Sequence, residues 1–509
     1  RFSSYVEKFA NMNAWHRHFP KGSEHSEVEL LAGETLPSVW VSQWREQPQR
    51  AVIHDPESGW VHGQELLERS EVVAQRLGHT GVGPGDRVLL SASSSVELVV
   101  AHVAILRLGA VVVPTNGAYR AEEVGHVVSD ARPKVAIIEH PEWSEWIHSA
   151  DPSVVVTSPS VELEAGTSVS LDRTETNSPA LIGYTSGTTG RPKGAVLSHG
   201  NLLASVRGLE IAWRWTPDDI LILALPLFHM HGLGVGLHGS LAVGAKVVLL
   251  SEFNVDEVVD SITKFDATMF FGVPTMYSRL LESPEATELE QLRLCVSGSA
   301  PLPAELHQSI HRVTGQHVLE RYGMTETAML VSNPYEGERR PGSVGFPLPG
   351  VEVRLEGDPA EIQVKGPNVF SGYWERPEEN TEAFVDGWFR TGDLGAIDPE
   401  GYLSIVGRAK ELIISGGFNV YPREVEEVIS EYEPIQECAV VGVPDEEWGE
   451  VVVAFVVAER EIEDEEIKIF VGERLAHYKR PRRTYTLERL PRNALGKVQK
   501  HRLMGQIET

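Results

Sequence analysis

The sequence predicts an α/β protein: a large N-terminal domain of βαβ-type subdomains with buried sheets, then a small C-terminal α+β domain on a hinge. Three observations carry this. Short apolar, β-rich runs alternate with helical patterns through most of the chain. Its 509 residues exceed what one ordinary core accommodates. The texture then changes near residue 400, where glycine-containing turns lead into about 100 residues with their own helices and strands, the size of a small domain.

The elements follow in order. Residues 88–90 read as a strand, 96–108 as a helix, and 111–113 and 135–138 as further strands. Later strands are expected at 221–225, 247–250, 269–271 and 292–296. Apolar strands spaced by helices imply parallel pairing with both sheet faces covered. No fixed-period repeat or low-complexity tract interrupts the pattern. The turn Asp398-Pro-Glu-Gly401 and the segment Gly407-Arg-Ala-Lys-Glu-Leu, followed by Gly416-Gly417, supply backbone freedom. This places the large domain at residues 1–407 and the small mobile one at 408–509. Within the latter, helices are expected at 424–432 and 462–475, and strands at 438–443 and 451–457. The acidic run 461–466 reads as a solvated helix start, where carboxylates favour the helix dipole.

Charge and composition exclude several classes. With 45 basic against 73 acidic residues the formal charge is -28, a field that repels nucleic-acid backbones and anionic membranes. An anionic substrate must therefore meet a local cluster of positive charge. The two cysteines, Cys295 and Cys438, form neither a disulfide framework nor a metal cluster, and read as core thiols in a reducing compartment. No run reaches the ~18 apolar residues of a membrane span, and residues 1–22 lack the apolar stretch of a secretory signal. The expectation is a cytoplasmic protein with no integral membrane association.

The strongest local signal is Tyr184-Thr-Ser-Gly-Thr-Thr-Gly-Arg-Pro-Lys-Gly194. Thr185, Ser186, Thr188 and Thr189 alternate with Gly187 and Gly190, and Lys193 follows. Backbone N–H groups, hydroxyls and one ammonium can wrap phosphate oxygens. The spacing is not that of a Walker A loop. A polar surface turn accounts for the Gly and Pro, but not for so many hydroxyls around one lysine.

At this string the chain resembles the adenylate-forming (AMP-binding) superfamily, which holds acyl-CoA synthetases, peptide-synthetase adenylation domains and luciferases. The resemblance extends over nearly the whole chain in the family's order. Ser297-Gly-Ser-Ala-Pro-Leu302 looks like the adenine-side segment, and Glu320-Arg-Tyr-Gly-Met-Thr-Glu-Thr327 like the next signature. Thr391-Gly-Asp393, Gly407-Arg408 and Leu495-Gly-Lys497 complete the series. It implies an ATP-dependent ligase that adenylates a carboxylic acid and passes the acyl group to coenzyme A (CoA).

The same resemblance implies the roles. Thr185 to Lys193 would hold the β- and γ-phosphates, Thr325 the α-phosphate, and Glu326 with Thr185 the Mg²⁺. Ser299, Ala300, Pro301, Glu320, Arg321 and Tyr322 would form the adenine side, with Tyr322 stacked on the base. Asp393 would accept the ribose hydroxyls, supported by Arg408. Lys497 would reach the carboxylate and the α-phosphate together, a job suited to a compact charge on a flexible stem. Lys410 matches the hinge about which the family's small domain rotates between half-reactions. Gly416 and Gly417 match the glycines that leave room for pantetheine. Lys479-Arg-Pro-Arg-Arg483 is the densest basic patch, either a CoA-phosphate contact or an ordinary solvated loop.

For the acid, His229 matches the residue set beside the acyl carboxylate, with Met230 and Met324 lining the pocket. Gly272-Val-Pro-Thr-Met-Tyr-Ser-Arg279 ends a strand and opens a helix. A buried charge suits a second carboxylate rather than a fatty chain. With His231 and Ser299, Arg279 resembles the carboxylate-binding set of malonyl-CoA synthetases, implying malonate or methylmalonate. The alternative has Arg279 in solvent and a short or medium fatty acid in the pocket. Rival readings are a stand-alone amino-acid or aryl-acid adenylating enzyme, a luciferase-like oxygenase, and an inactive binding relative. No carrier domain follows, which favours CoA as acceptor. The chain is expected as a monomer or homodimer.

Overall fold

Parallel strands covered on both faces read as unbroken apolar runs, and two sheets of the protein are built this way. The computed structural model describes residues 12–22, 29–31, 33–164, 169–185, 192–415, 418–445, 448–493 and 496–505. Its contacts divide into two units, one of Arg1–Val353 with Val364–Phe389, the other of Arg354–Gln363 with Arg390–Thr509.

In the larger unit a seven-stranded sheet runs Gly372–Tyr373, Lys193–Ser198, Pro179–Thr185, Val111–Pro114, Arg87–Ser91, Val135–Ile138, Val155–Thr157. Its inner pairs are parallel, and the pair Pro179–Thr185 with Lys193–Ser198 is an antiparallel hairpin. A nine-stranded sheet contains Leu319–Tyr322, Leu294–Ser297, Met269–Gly272, Ile220–Leu223 and Lys246–Leu249 as consecutive parallel neighbours. The expected strands are all present, shifted by one or two residues at their ends. The helix expected at 96–108 spans Val96–Arg107, and Ser95 Oγ caps it by accepting from Leu98 N at 3.2 Å.

The smaller unit carries Ile435–Asp445 antiparallel to Gly449–Ala458, with helices Pro422–Ser430 and Asp464–Gly472. The first starts earlier than expected because Pro422 suits the first helical position. The second begins in the acidic run, where Glu466 accepts from Glu463 N at 3.1 Å. Among the described residues, no helix is long and apolar enough to cross a membrane.

Polar side chains inside the larger unit are the unexpected part of its core. His102 Nε2 lies 2.8 Å from His238 Nε2, Trp40 packs on both rings, and His199 is fully buried. Burial first, then neighbouring imidazoles, pulls His102 down to about 3 and His238 well below the usual histidine range. Burial alone takes His199 down to about 4. Such residues are neutral when folded and protonate only when unfolded. Their contribution to stability is complete above pH ~6.5 and is lost as the pH falls toward the folded values. Between pH 7.5 and 5, unfolding free energy should drop by up to about 1.4 kcal/mol per pH unit for each such histidine. Urea titrations of His238→Leu should show that slope reduced by about one proton relative to the parent.

Candidate functional site

The phosphate-loop stem is the Pro179–Thr185 and Lys193–Ser198 hairpin, in which Thr185 pairs with Lys193 and its hydroxyl donates to the Lys193 carbonyl at 3.4 Å. Two residues before Thr185, Gly183 leaves a gap: a Cβ there would sit 2.5 Å from Thr325 Cγ2. Thr325 can lie against the stem only because that position is glycine. Next to it, Glu326 is buried, and its Oε1 accepts from Tyr373 O–H at 3.0 Å. Burial and the Glu326 charge raise the Tyr373 phenol above its ordinary value, so it stays a donor. Lys193 Nζ lies 5.6 Å over the Tyr373 ring and 3.7 Å from Glu379. Thr185, Lys193, Thr325 and Glu326 are thus gathered around one edge of the seven-stranded sheet. The loop's flanks are tied as well: Tyr184 O–H donates to Asp130 at 2.7 Å, and His126 Nε2 meets the Pro192 carbonyl at 2.8 Å.

The second group forms where the parallel strands Leu294–Ser297 and Leu319–Tyr322 end. Ser297 is opposite Glu320 in register. Glu320 Oε1 accepts from Leu302 N at 2.9 Å and so fixes the segment holding Ser299, Ala300 and Pro301. Ser299 has a left-handed backbone (φ 68°), a strained conformation for a residue with a Cβ. Its hydroxyl lies 3.3 Å from His231 Nδ1. His231 opens a seven-residue π-helical stretch, His231–Leu237, and its ring stacks on Phe271 at 6.3 Å. Three glycines permit that wide turn, since a Cβ on Gly232 would meet the Pro226 carbonyl at 2.4 Å and one on Gly234 would meet Met230 Sδ at 2.1 Å. His231 N donates to His229 Nδ1 at 3.3 Å.

Arg321 completes this group. Its side chain is 4% exposed, and a Cβ on Gly298 would lie 2.3 Å from its Cζ. Its Nε and Nη2, and His231 Nε2, are buried with no hydrogen-bond partner among the described residues. Burial pulls the guanidinium down to about 9, so it remains a cation at neutral pH. Burial, then Arg321 and His229, hold His231 well below the usual histidine range and therefore neutral. A buried cation and a neutral imidazole with vacant donors are an incomplete anion site.

In the smaller unit the antiparallel strands Trp388–Ile397 and Leu403–Arg408 place Asp393 opposite Arg408, and Arg408 Nε reaches Asp393 Oδ1 at 2.9 Å. Lys497 follows a turn at Gly496 (φ 76°) and is pinned by its N–H, which donates to Asn493 Oδ1 at 2.9 Å. The residue as a whole is exposed. Protein crowding its ammonium, then Arg408 and Lys500, pulls it below the usual lysine range, opposed by Asp393 and Glu411.

The family model for the AMP-binding enzyme matches residues 40–374, and that for the AMP-binding enzyme C-terminal domain matches residues 424–497. The chain belongs to the AMP-binding enzyme family. It is 37% identical over 476 residues to a malonate–CoA ligase of Arabidopsis thaliana, covering 83% of this chain and 78% of that protein. It is 32% identical over 558 residues to a long-chain-fatty-acid–CoA ligase of Bacillus subtilis, covering 97% and 98%. Among solved structures, ATP-bound MatB from Rhodopseudomonas palustris superposes with a TM-score of 0.88 at 39% identity, covering 94% and 99%. The protein is an AMP-forming acid–thiol ligase, ATP-dependent and acyl-CoA-forming.

As an AMP-binding enzyme it departs from the sequence reading at two positions. Arg279 does not join Ser299 and His231. Successive residues of Met269–Gly272 face opposite sides of the sheet. Phe270 turns to Tyr277, on the helix Pro274–Leu281 that carries Arg279, while Phe271 turns to His231. Arg279 is exposed, lying 5.1 Å over the Phe253 ring. The guanidinium beside His231 belongs to Arg321, which the sequence reading had set on the nucleotide side. Lys479, expected toward CoA, has its Nζ 2.6 Å from each carboxylate oxygen of Glu424. Lys410 is exposed in the short turn Ala409–Glu411, and Met324 and Tyr322 are half-buried. Ser186, Gly187, Thr188, Thr189, Gly190, Gly416 and Gly417 lie outside the described residues. Tyr373 and Glu379 were not singled out from the sequence, which carries no motif for them.

Replacing Gly298 by alanine should push on a guanidinium that has nowhere to move, costing about 1–3 kcal/mol of stability. Denaturant midpoints check this. Adding Arg321→Met to Gly298→Ala should recover part of the loss, because the clash partner is then shorter and flexible.

Proposed function

We propose that the acid is a small dicarboxylate, malonate or methylmalonate, whose second carboxylate is bound by Arg321. The observation that carries this is the buried, incompletely partnered Arg321 guanidinium beside neutral His231 and Ser299. With the Ser299 hydroxyl donating to Nδ1, the His231 proton resides on Nε2, a further donor. A carboxylate accepting from both satisfies donors that an alkyl chain would leave stranded, and bidentate pairing with arginine is strong and directional. The likeness to a malonate–CoA ligase supports the same choice.

On this reading Lys193 and Thr185 bind the outer phosphates, and Thr325 meets the α-phosphate. Glu326 and Thr185 offer the hard oxygen donors suited to Mg²⁺, which would offset phosphate charge. Among the described residues no group of three or more His, Cys, Asp or Glu side chains could cage a metal. Asp393 accepts the ribose hydroxyls with Arg408 fixing its carboxylate, and Lys497 stabilises charge developing as the carboxylate attacks phosphorus. Rotation about Lys410 then admits CoA. Phe418, 52% exposed and stacked on Tyr478 at 4.5 Å, offers an aromatic face to its adenine.

A panel of acids with ATP, Mg²⁺ and CoA, followed by AMP and thioester release, tests the substrate. Malonate or methylmalonate should exceed acetate and octanoate in kcat/KM, and preference for octanoate would sink the assignment. Arg321→Leu should lower kcat/KM for malonate by about 10²- to 10³-fold, the scale of a buried charge pair losing one partner, with Arg279→Leu near neutral. Separately, Lys497→Ala should abolish adenylation while leaving thioesterification of supplied acyl-adenylate largely intact. Equal loss of both half-reactions would contradict its assigned role.

A further inference from the structure

The smaller unit holds a second cluster of positive charge that the ligase reaction does not use. Arg489, Arg492 and Arg502, with Glu437, Leu490 and Pro491, line a pocket of about 610 Å³. Three guanidinium groups face one carboxylate there, a local excess of two positive charges on a chain of net charge -28. Among the described residues, neither Arg489 nor Arg502 has a side-chain hydrogen bond or ion-pair partner. Arg492 does: one nitrogen reaches Glu437 Oε2 at 2.8 Å, and another donates to the Gly496 carbonyl.

That last bond ties the pocket to the catalytic hairpin. Arg492 bridges Val498 across the turn, Asn493 N donates to the Lys497 carbonyl at 2.9 Å, and Lys497 N returns to Asn493 Oδ1. An anion in the pocket that recruits the Arg492 nitrogen bonded to the Gly496 carbonyl competes with that bond, one residue before Lys497.

We propose that this pocket binds the dianionic phosphate of a small phosphate monoester and that its occupancy slackens the Lys497 hairpin. A phosphate monoester carries about -1.5 to -2 charges at pH 7, matching the local excess, and its oxygens accept forked arginine donors. The volume lies in the ~300–1,000 Å³ range of small-molecule sites, and Leu490 with Pro491 gives an apolar floor for a carbon skeleton. The effect on rate rests on the assignment of adenylation to Lys497; the binding does not.

The test compares the intact protein with Arg489→Gln/Arg502→Gln and Arg489→Glu/Arg502→Glu, using inorganic phosphate and glycerol 3-phosphate at constant ionic strength against chloride. Thermal unfolding should show saturable stabilisation of the parent, with the half-saturating concentration raised at least ~10-fold in the glutamine pair and the response absent in the glutamate pair. Acid-dependent pyrophosphate exchange should slow roughly fivefold at saturation in the parent only, about the worth of one hydrogen bond. A response to glycerol 3-phosphate at lower concentration marks organic monoesters as the source, and equal potency marks the free ion. Equal stabilisation of parent and variants, or by chloride, overturns the site. Variant-sensitive stabilisation without any change in exchange overturns the link to the hairpin. Should Lys497→Ala retain exchange, the failure lies with the lysine's assignment, and unfolding alone judges the pocket.

Discussion

One register, Ser297 opposite Glu320 in a parallel strand pair, governs the chemistry of the larger unit. The first strand ends at Ser297 while its neighbour continues through Arg321 and Tyr322. The departing residues, Gly298 and Ser299, therefore pass over the last side chains of the longer strand. Gly298 can pass only because it lacks a Cβ, and Ser299 turns left-handed to set its hydroxyl near His231. Glu320, one residue earlier, catches Leu302 N and holds the segment down. A shift of one residue would exchange the faces of Glu320 and Arg321 and dismantle both arrangements. Ligands of α/β sheets gather at the carboxyl ends of strands for this kind of reason.

The electrostatics follow from that placement. A buried guanidinium without a full set of partners is costly, because desolvation is not repaid by hydrogen bonds. Two features limit the cost. His231 is held neutral, so it adds no second charge, and the Glu320 charge favours the protonated guanidinium. What is left is a donor surface that a monocarboxylate's alkyl end would leave unpaired. On the proposed reading, selectivity for a second carboxylate would arise from the penalty that other acids incur there, as well as from attraction. Asp393 and Arg408 differ, since each already holds the other across a strand pair and the carboxylate keeps its orientation.

Much of this was legible in the sequence. The apolar runs located the strands because both sheet faces are buried, and of the residues that the ordered motifs singled out, Thr185, Lys193, Thr325 and Glu326 lie together while Asp393 pairs with Arg408. Arg279 misled because a helix following a strand can lie on either face, and only the alternation of Phe270 and Phe271 decides which. The better signal was in plain view: Leu319-Glu-Arg-Tyr322 puts opposite charges inside a buried parallel strand, where charges persist only for a purpose. Tyr373 and Glu379 were invisible because they reach Glu326 and Lys193 through tertiary contact alone. The buried histidines were equally hidden, since His102 and His238 are 136 residues apart.

On so acidic a chain, the three cations proposed to meet anions stand under three kinds of support, and the supports match the proposed duties. Among the described residues Lys193 has a single carboxylate, 3.7 Å away, and partial exposure, so an incoming phosphate can take Glu379's place at little cost. Arg321 is sealed in the core and cannot turn away, which suits the proposed role of discriminating among acids rather than acting on them. Lys497 sits after a glycine turn, its ammonium crowded although the residue as a whole is exposed. A fixed cation there would hold the adenylate as firmly as the transition state and hinder the second half-reaction, since uniform binding adds nothing to turnover. A lysine whose hairpin rests on a few bonds, one of them from Arg492, can give its charge and then withdraw it.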